Sequence, residues 1–598
     1  MRGALADDII TVQPEHQIDQ RGIMEQFNAV LAAIGSVLWH PYVLYVLLIT
    51  GVVLTIVSGF SQYRALTHGT KVLRGAYDDP NDPGAINHFQ ALSAALSATV
   101  GLGNIGGVAL AIALGGPGAV FWMWVVGFFG MSIKFTEVTL SMLYRNTDDP
   151  ENPHGGPMWV VDKGLPRLKP QLAGLARFLG IIFCITLLTS TVTGGNMFQA
   201  WNVAGLTQQY FGVPGVATGI ILAIIVAMVI IGGIKRIGAV AGRLVPIMVG
   251  LYLAAGTYVL IVNAGQIPAI FALIFKSAVS TTEAAGAFLG GTAGYAFALG
   301  MKRALFSNEA GQGSSPIAHS AAKTDEPVRE GLVAGLEPFI DTLVVCTFTA
   351  LIILVTGVWN RGAEGQFSAP PAVIPVEAGQ WSIEEVPLPA RQAGIWNEGE
   401  NIFMLVEGDA NDKAGNNLHR INGTVAIDHT GALVAQWGEL SSASRPRLYE
   451  NGVYADYVGA PLTARAFDTV VPGLGKWLVS IAAWLFAIST MISWSYYGEQ
   501  GIVYLFGERA VLSYKVIYCI LIVVATLGFV TTSEELDNLS SLGTGVMLFV
   551  NVPIIWIFGY QAMRVYRNYI HRLKTGQLGP EHELPSFEDV MSGRDVRK

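Results

Sequence analysis

Residues 97–107, Ser-Ala-Thr-Val-Gly-Leu-Gly-Asn-Ile-Gly-Gly, and residues 306–316, Phe-Ser-Asn-Glu-Ala-Gly-Gln-Gly-Ser-Ser-Pro, decide the fold of this chain. Each interrupts an apolar stretch with Gly-x-Gly and a small polar residue: Gly101, Gly103 and Asn104, then Gly311, Gly313 and Ser314. Glycine weakens a helix interior. Unwound backbone inside a membrane strands N–H and C=O groups unless they line a polar cavity. Gly-x-Gly also serves close helix packing, but two matched copies surrounded by Ser, Asn and Thr favour a cavity between two broken helices.

The flanking sequence supplies the membrane. The chain is 52% hydrophobic and 13% charged, with mean hydropathy +0.47, where a soluble chain carries roughly a quarter charged residues. A span needs about 20 mostly apolar residues. About eleven segments qualify: 42–61, 86–113, 116–143, 175–203, 213–233, 238–263, 288–320, 330–357, 475–505, 513–531 and 540–563. The expected fold is an all-α polytopic membrane protein. The interrupted spans, second and seventh, lie five spans apart, so spans two to six and seven to eleven form antiparallel halves. That five-plus-five inverted repeat is a layout of secondary transporters, in which paired broken helices mark the site near the midplane.

Lys and Arg fill alternate loops: Arg64, Lys71 and Arg74; Arg145, Lys163, Arg167 and Lys169; Lys235, Arg236 and Arg243; Lys323 and Arg329; Arg509 and Lys515. A basic C-terminal tail inside and an odd number of spans put the N-terminus outside and the C-terminus in the cytoplasm, here of a bacterial inner membrane. Residues 1–41 read as a polar tail with an amphipathic interfacial helix over 24–39 and no cleavable leader. Residues 42–357 and 475–563 form the transmembrane core, and 564–598 a cytoplasmic tail. Between the core segments, 358–474 alternates short apolar runs with turn signals and reads as a small β-rich extracytoplasmic insert.

Composition excludes other classes. The net charge is −8 and no basic run carries interleaved aromatics, so nucleic acid is not a partner. Cys184, Cys346 and Cys519 sit in apolar runs without metal-like spacing. No nucleophile–base pair, phosphate loop or histidine cluster suggests an enzyme or a bound cofactor. The broken helices instead suit a zwitterion. Freed carbonyls are hard ligands for a small cation, and a half-helix N-terminus offers N–H donors and a positive dipole end to a carboxylate.

On these and further blocks the chain resembles the alanine or glycine:cation symporter family. They are 95–107, the Gly-Gly-Pro-Gly-Ala-Val-Phe-Trp-Met-Trp run at 115–124, Gly-Gly-Pro-Met at 155–158, 305–328, and Trp-Ser-Tyr-Tyr-Gly-Glu at 494–499. The 100–104 block is also similar to the unwound first helix of the neurotransmitter:sodium symporters. The resemblance spans nearly the whole chain except the insert and tails. It implies symport of a small neutral amino acid such as alanine or glycine, with sodium as the coupling ion and no cofactor.

It also implies site residues. Backbone at Gly101, Gly103 and Asn104, with the side chains of Gln199, Phe306 and Trp494, would take the substrate. Ser489 and Thr490, with the carbonyls of Ser97 and Val100, would take sodium, although Ser and Thr in membrane helices commonly back-bond to their own helix. Thr99, Asn196, Ser307 and Asn308 stand in second rank, and Asn104 with Ser307 marks a second cation position. The backbone near Gly103 is expected to need glycine's freedom. Lys134 and Glu137 suit an i,i+3 pair, while Glu309, Glu337 and Asp341 are open between structural pairs, gates and a proton relay. Two other readings stand beside symport with sodium: a proton-coupled transporter of another small solute, and a membrane solute sensor with an inert transporter-like core. The short tail after 563 argues against the sensor.

Overall fold

The computed structural model describes residues 30–31, 33–457, 459–528, 533–578 and 584–592; most of the expected helix at 24–39 lies outside them. Residues 33–38 are helical and lead into α1 (Pro41–Val57). The first interrupted span is α2 (His88–Thr99) and α3 (Val108–Gly115), followed by α4 (Gly118–Tyr144), α5 (Pro157–Leu168), α6 (Ala173–Val192) and α7 (Phe198–Phe211). Then come α8 (Gly215–Ile230), α9 (Gly233–Val262) and α10 (Ile267–Val279). The second interrupted span is α11 (Ala293–Asn308) and α12 (Ser315–His319), followed by α13 (Pro327–Ala334) and α14 (Thr347–Val355). After the insert come α15 (Ala460–Asp468), α16 (Leu474–Phe506), α17 (Val511–Val524) and α18 (Ser533–Thr575).

Each of the eleven expected segments carries helix. Among the described residues, seven helices are long and apolar enough to cross a bilayer alone, and α2–α3, bent by 52°, makes an eighth. The others are short or interrupted. Helix α18 passes the expected end at 563 and reaches Thr575, carrying part of the supposed tail with it. Helices α5, α10 and α15 were not among the expected segments.

The two broken helices are antiparallel. The amide of Ala85 donates to Ala321 O (2.8 Å) and that of Lys323 to Ile86 O (2.8 Å), so the start of the first lies beside the end of the second. At the opposite end the Cα of Gly291 lies close enough to Gly115 that a Cβ there would stand 3.3 Å from Gly115 O. Local chemistry sets the ends. Asn87 caps α2 in a reciprocal box with Gln90, and Thr292 caps α11 at the Tyr295 amide. Helix α11 stops where Glu309 turns left-handed at φ 55°, an unusual state for a residue with a Cβ.

The basic loops meet at one end of the bundle. Arg145 donates to Pro83 O, Ser320 O, Ala322 O and Thr324 O. Arg572 pairs with Glu326 (2.6 Å) and Lys235 with Glu151 (2.9 Å).

The insert lies at the other end. Strands β1 (Gly365–Gln366), β9 (Gly452–Ala455), β4 (Asn401–Asn411), β5 (Asn416–Ile427) and β6 (Leu433–Trp437) form an antiparallel sheet in that order, with β8 (Arg447–Leu448) also on β4. A second sheet joins β2 (Val373–Glu377), β3 (Gln380–Ile383) and β7 (Leu440–Ser441). Strand β4 is buried on both faces: Ile402, Met404 and Val406 enter the insert's core, while Phe403 and Leu405 pack with Ala287 of the helical body. Asn416 Nδ2 donates to Leu289 O (2.6 Å), Arg420 Nη2 to Ala287 O (2.6 Å), and the Thr292 amide to Lys413 O (3.0 Å). The insert is thereby fastened to the turn that starts α11.

Candidate functional site

The first break begins where α2 runs out of donors. The Val100 N–H still reaches Leu96 O, but Val100 itself is extended (φ −76°, ψ 91°). The next N–H, on Gly101, donates to the Asn104 side chain (2.8 Å) instead of returning to Ser97. The Ser97 carbonyl therefore lacks its i+4 donor. The chain resumes as a π-turn over Gly103–Gly107 before α3. In the second break Gly311 and Gly313 adopt φ 84° and 82°, conformations glycine reaches at little cost. A side chain at Gly313 would also meet Pro157 at 2.3 Å.

A cavity lies between the breaks. Gly101, Gly103, Gln199, Phe306 and Trp494 of the expected substrate set line it, as do Thr99 and Thr490. Ala98, Gly194, Glu309, Gln312 and Thr544 complete the lining. Gln199 Nε2 donates to Gly194 O (3.0 Å), while its Oε1 is buried without a partner. The Oε1 of Gln312 is likewise buried and unpartnered, its Nε2 being held by Leu305 O (2.8 Å). Trp494 closes the wall against Gly195, where a Cβ would fall 2.4 Å from the indole Cγ.

The tight glycine is Gly101. A Cβ on it would lie 2.8 Å from Thr490 Oγ1, whereas one on Gly103 would meet Phe306 Cδ1 at an ordinary 3.5 Å. Gly103 is not in the left-handed region either, so the expectation that this position needs glycine's conformational freedom is corrected: the close approach is two residues earlier, at Gly101.

The expected cation ligands divide. Thr490 Oγ1 is buried with no hydrogen-bond partner, a costly state that a ligand would relieve. Ser489 Oγ back-bonds to Phe486 O (2.8 Å), and Ser97 Oγ donates to Ser489 O (2.7 Å). Helices α2 and α16 are thus tied together beside the Ser97 and Val100 carbonyls, with one hydroxyl unengaged.

Asn104 does not line the cavity. Its Nδ2 lies 3.0 Å from Ser307 Oγ and 2.5 Å from Asp341 Oδ1. Ser307 Oγ donates to Asp341 Oδ2 (2.7 Å), as does Thr342 Oγ1 (2.8 Å). The carboxylate of Asp341, fully buried, is the centre of this group. Asn196 and Asn308 also stand off the cavity: Asn196 Nδ2 holds Tyr518 O (2.8 Å), and Asn308 bonds Thr342 Oγ1 (3.1 Å) and the Ala310 amide (3.0 Å). The sequence reading missed Gln312, Glu309 and Thr544 in the lining. Gln312 stands within the quoted 306–316 stretch, between the two glycines that turn it inward.

A family model described as the sodium:alanine symporter family matches residues 24–386 and 442–583. The unmatched stretch, 387–441, contains β4 to β6. The sodium/alanine symporter AgcS of Methanococcus maripaludis is 35% identical over 526 residues, covering 88% of this chain and 93% of its own. The amino-acid carrier protein AlsT of Bacillus subtilis is 29% identical over 577 residues, 96% of this chain and 99% of its own. Among solved structures, that of MhsT in complex with L-phenylalanine aligns with 81% of this chain and 90% of its own at 14% identity, with a TM-score of 0.44.

Proposed function

The chain belongs to the sodium:alanine symporter family, a family of membrane transporters, and from that membership we propose that it imports a small neutral amino acid, alanine or glycine, together with sodium by alternating access. The observation that carries the reading is the buried, unpartnered Thr490 hydroxyl beside Gly101, on the helix that Ser97 Oγ binds through Ser489 O, while the Ser97 carbonyl has lost its helical donor. A hard cation satisfies all such oxygens at once. The substrate carboxylate takes the start of the half-helix at Gly103, where the dipole end is positive. The unpartnered oxygens of Gln199 and Gln312 suit its ammonium, and Phe306 and Trp494 limit the side chain.

The second cation position, at Asn104 and Ser307, gains a formal negative charge from Asp341. Three neighbouring groups already point their polar atoms at this carboxylate, and a cation entering there would exchange with the Asn104 amide. The basic loops are assigned to the cytoplasmic face on the charge rule, which puts the β insert outside.

The test is uptake of labelled alanine into proteoliposomes with and without an inward sodium gradient. Accumulation that needs the gradient and collapses with a sodium ionophore supports the reading. Equal uptake in potassium, driven by a proton gradient alone, would assign coupling to protons instead.

A further inference from the structure

A second polar system, separate from the cavity, lies where α2, α4, α12 and α13 converge at the basic-loop end. His88 on α2, His319 on α12, Glu330 on α13 and Glu337 just beyond it are all buried, at 1%, 0%, 0% and 0% exposure. The two oxygens of Glu330 are divided between the broken helices: one meets His88 Nδ1 and the other His319 Nδ1. The remaining nitrogen of His319 faces Glu337 Oε1 at 2.5 Å. Ser315 Oγ also donates to Glu337 (2.6 Å).

Other charged groups surround this chain of contacts. From α4, Lys134 Nζ lies 3.3 Å from Glu337 Oε2 and 3.7 Å from Glu137 Oε1, while Arg145 at its end grips the 320–324 segment. Asn551 on α18 donates to Glu137 (2.9 Å). Glu309, Asp341 and Tyr497 on α16 are buried titratable groups as well. At the solvent end, His88 Nε2 is buried without a hydrogen-bond partner, and the half-exposed Asp78 carboxylate stands 3.9 Å away.

Counting protons gives the inference. Three imidazole–carboxylate contacts each need one proton between nitrogen and oxygen. Two neutral imidazoles carry only two. The arrangement therefore holds one proton more than neutral histidines and ionised glutamates would, whichever atom it rides on. Remove it, and one contact becomes lone pair against lone pair. That contact joins α2 or α12 to the α13 segment.

We propose that His88, Glu330, His319 and Glu337 form a proton-binding latch that holds the two broken helices together at this end and releases its proton as they part. The proton leaves a nitrogen or a carboxyl oxygen as H⁺, passing from the His88 ring to the Asp78 carboxylate or water, and returns by the same route when the helices close. No electron is transferred. The latch is distinct from the substrate and cation positions, and it makes the opening of this end depend on the pH of the solution facing the basic loops.

The test measures opening without relying on transport. Spin labels are placed at Phe89→Cys on α2 and at Leu66→Cys on the turn packed against α13, both at partly exposed positions, in a Cys519→Ser background. Electron–electron resonance then reads the distance distribution of the full chain in detergent across about pH 6 to pH 9, the range in which an imidazole relay exchanges its proton. The long-distance population should rise roughly tenfold with pH, the worth of one charge-assisted hydrogen bond. In His319→Gln it should change less than about twofold, and His88→Gln, at the rim, serves if His319→Gln does not fold. A pH-independent distribution in the wild type, or an unchanged pH dependence in a folded His88→Gln, would overturn the latch. Alanine uptake by the wild type at a single pH tests the transport reading separately.

Discussion

Replacing Gly101 by alanine adds one carbon whose position is set by the backbone, 2.8 Å from Thr490 Oγ1. Ordinary carbon–oxygen contact begins near 3.4 Å, so the hydroxyl must retreat by roughly half an ångström or rotate its methyl into the same place. Gly101 is not in the left-handed region, so the backbone accepts alanine and the cost falls on Thr490. Overpacking of this kind costs about 1–3 kcal/mol, and each 1.36 kcal/mol is about a factor of ten. The sodium concentration for half-maximal alanine uptake should rise by about 5- to 150-fold, with the maximal rate at saturating sodium less affected. Gly103→Ala, whose new carbon meets Phe306 at 3.5 Å, should stay within about threefold of wild type on the same scale. Adding Thr490→Ser to Gly101→Ala removes the competing methyl and should restore part of the affinity. The assay is a sodium titration of initial uptake rates in proteoliposomes, with elution profiles checking the fold. Equal sodium dependence in Gly101→Ala and wild type would refute the placement of the cation against Thr490.

Thr490→Ala should raise the half-saturating sodium concentration by about tenfold or more, as loss of one of few oxygen ligands would, while Ser489→Ala, whose hydroxyl is engaged by Phe486 O, should change it by less than about threefold; the reverse order in the same titration would exchange their roles. Trp494→Ala should admit leucine or methionine in competition uptake and lower stability by about 3–5 kcal/mol; a wild-type substrate profile would make Trp494 packing only. Outside the spans, burial and then the charges of Lys71, Arg329 and Arg64 push the His68 imidazole down to about 4. Between that value and the ordinary 6.5 the unfolded chain binds a proton the folded one does not, so stability present above about pH 6.5 is lost as pH falls toward 4, by roughly 3 kcal/mol. Thermal melts at pH 7 and 4.5 should show a smaller acid loss in His68→Gln, and an identical loss would assign the acid sensitivity elsewhere.

The two breaks were legible because glycine in an apolar run has few uses, and their antiparallel pairing followed from their lying five spans apart. What escaped the sequence was pairing over distance. Asn104 and Asp341 are 237 positions apart, and His88 and Glu330 are 242 apart. A carboxylate in a span announces that it needs a partner but not which. The emphasis on Gly103 over Gly101 failed for a related reason: two glycines in one motif look alike until a neighbouring helix brings Thr490 against one of them. Helix α10 was missed because its 13 residues are too short to read as a span.

The fastening of strand β4 and the Thr292 amide to the same turn has a mechanical consequence. Helix α11 begins at a residue whose N–H is held by Lys413 of the insert, so α11 cannot tilt about its first turn without carrying the sheet along or breaking that seam. The sheet is therefore a handle on the second broken helix that protrudes from the opposite face to the basic loops. A rigid binder gripping the edge strand β6 would add viscous drag and steric bulk to that handle and act as a brake applied from outside. Such a brake would slow the helix's rocking while leaving the residues around Gly101 and Thr490 untouched.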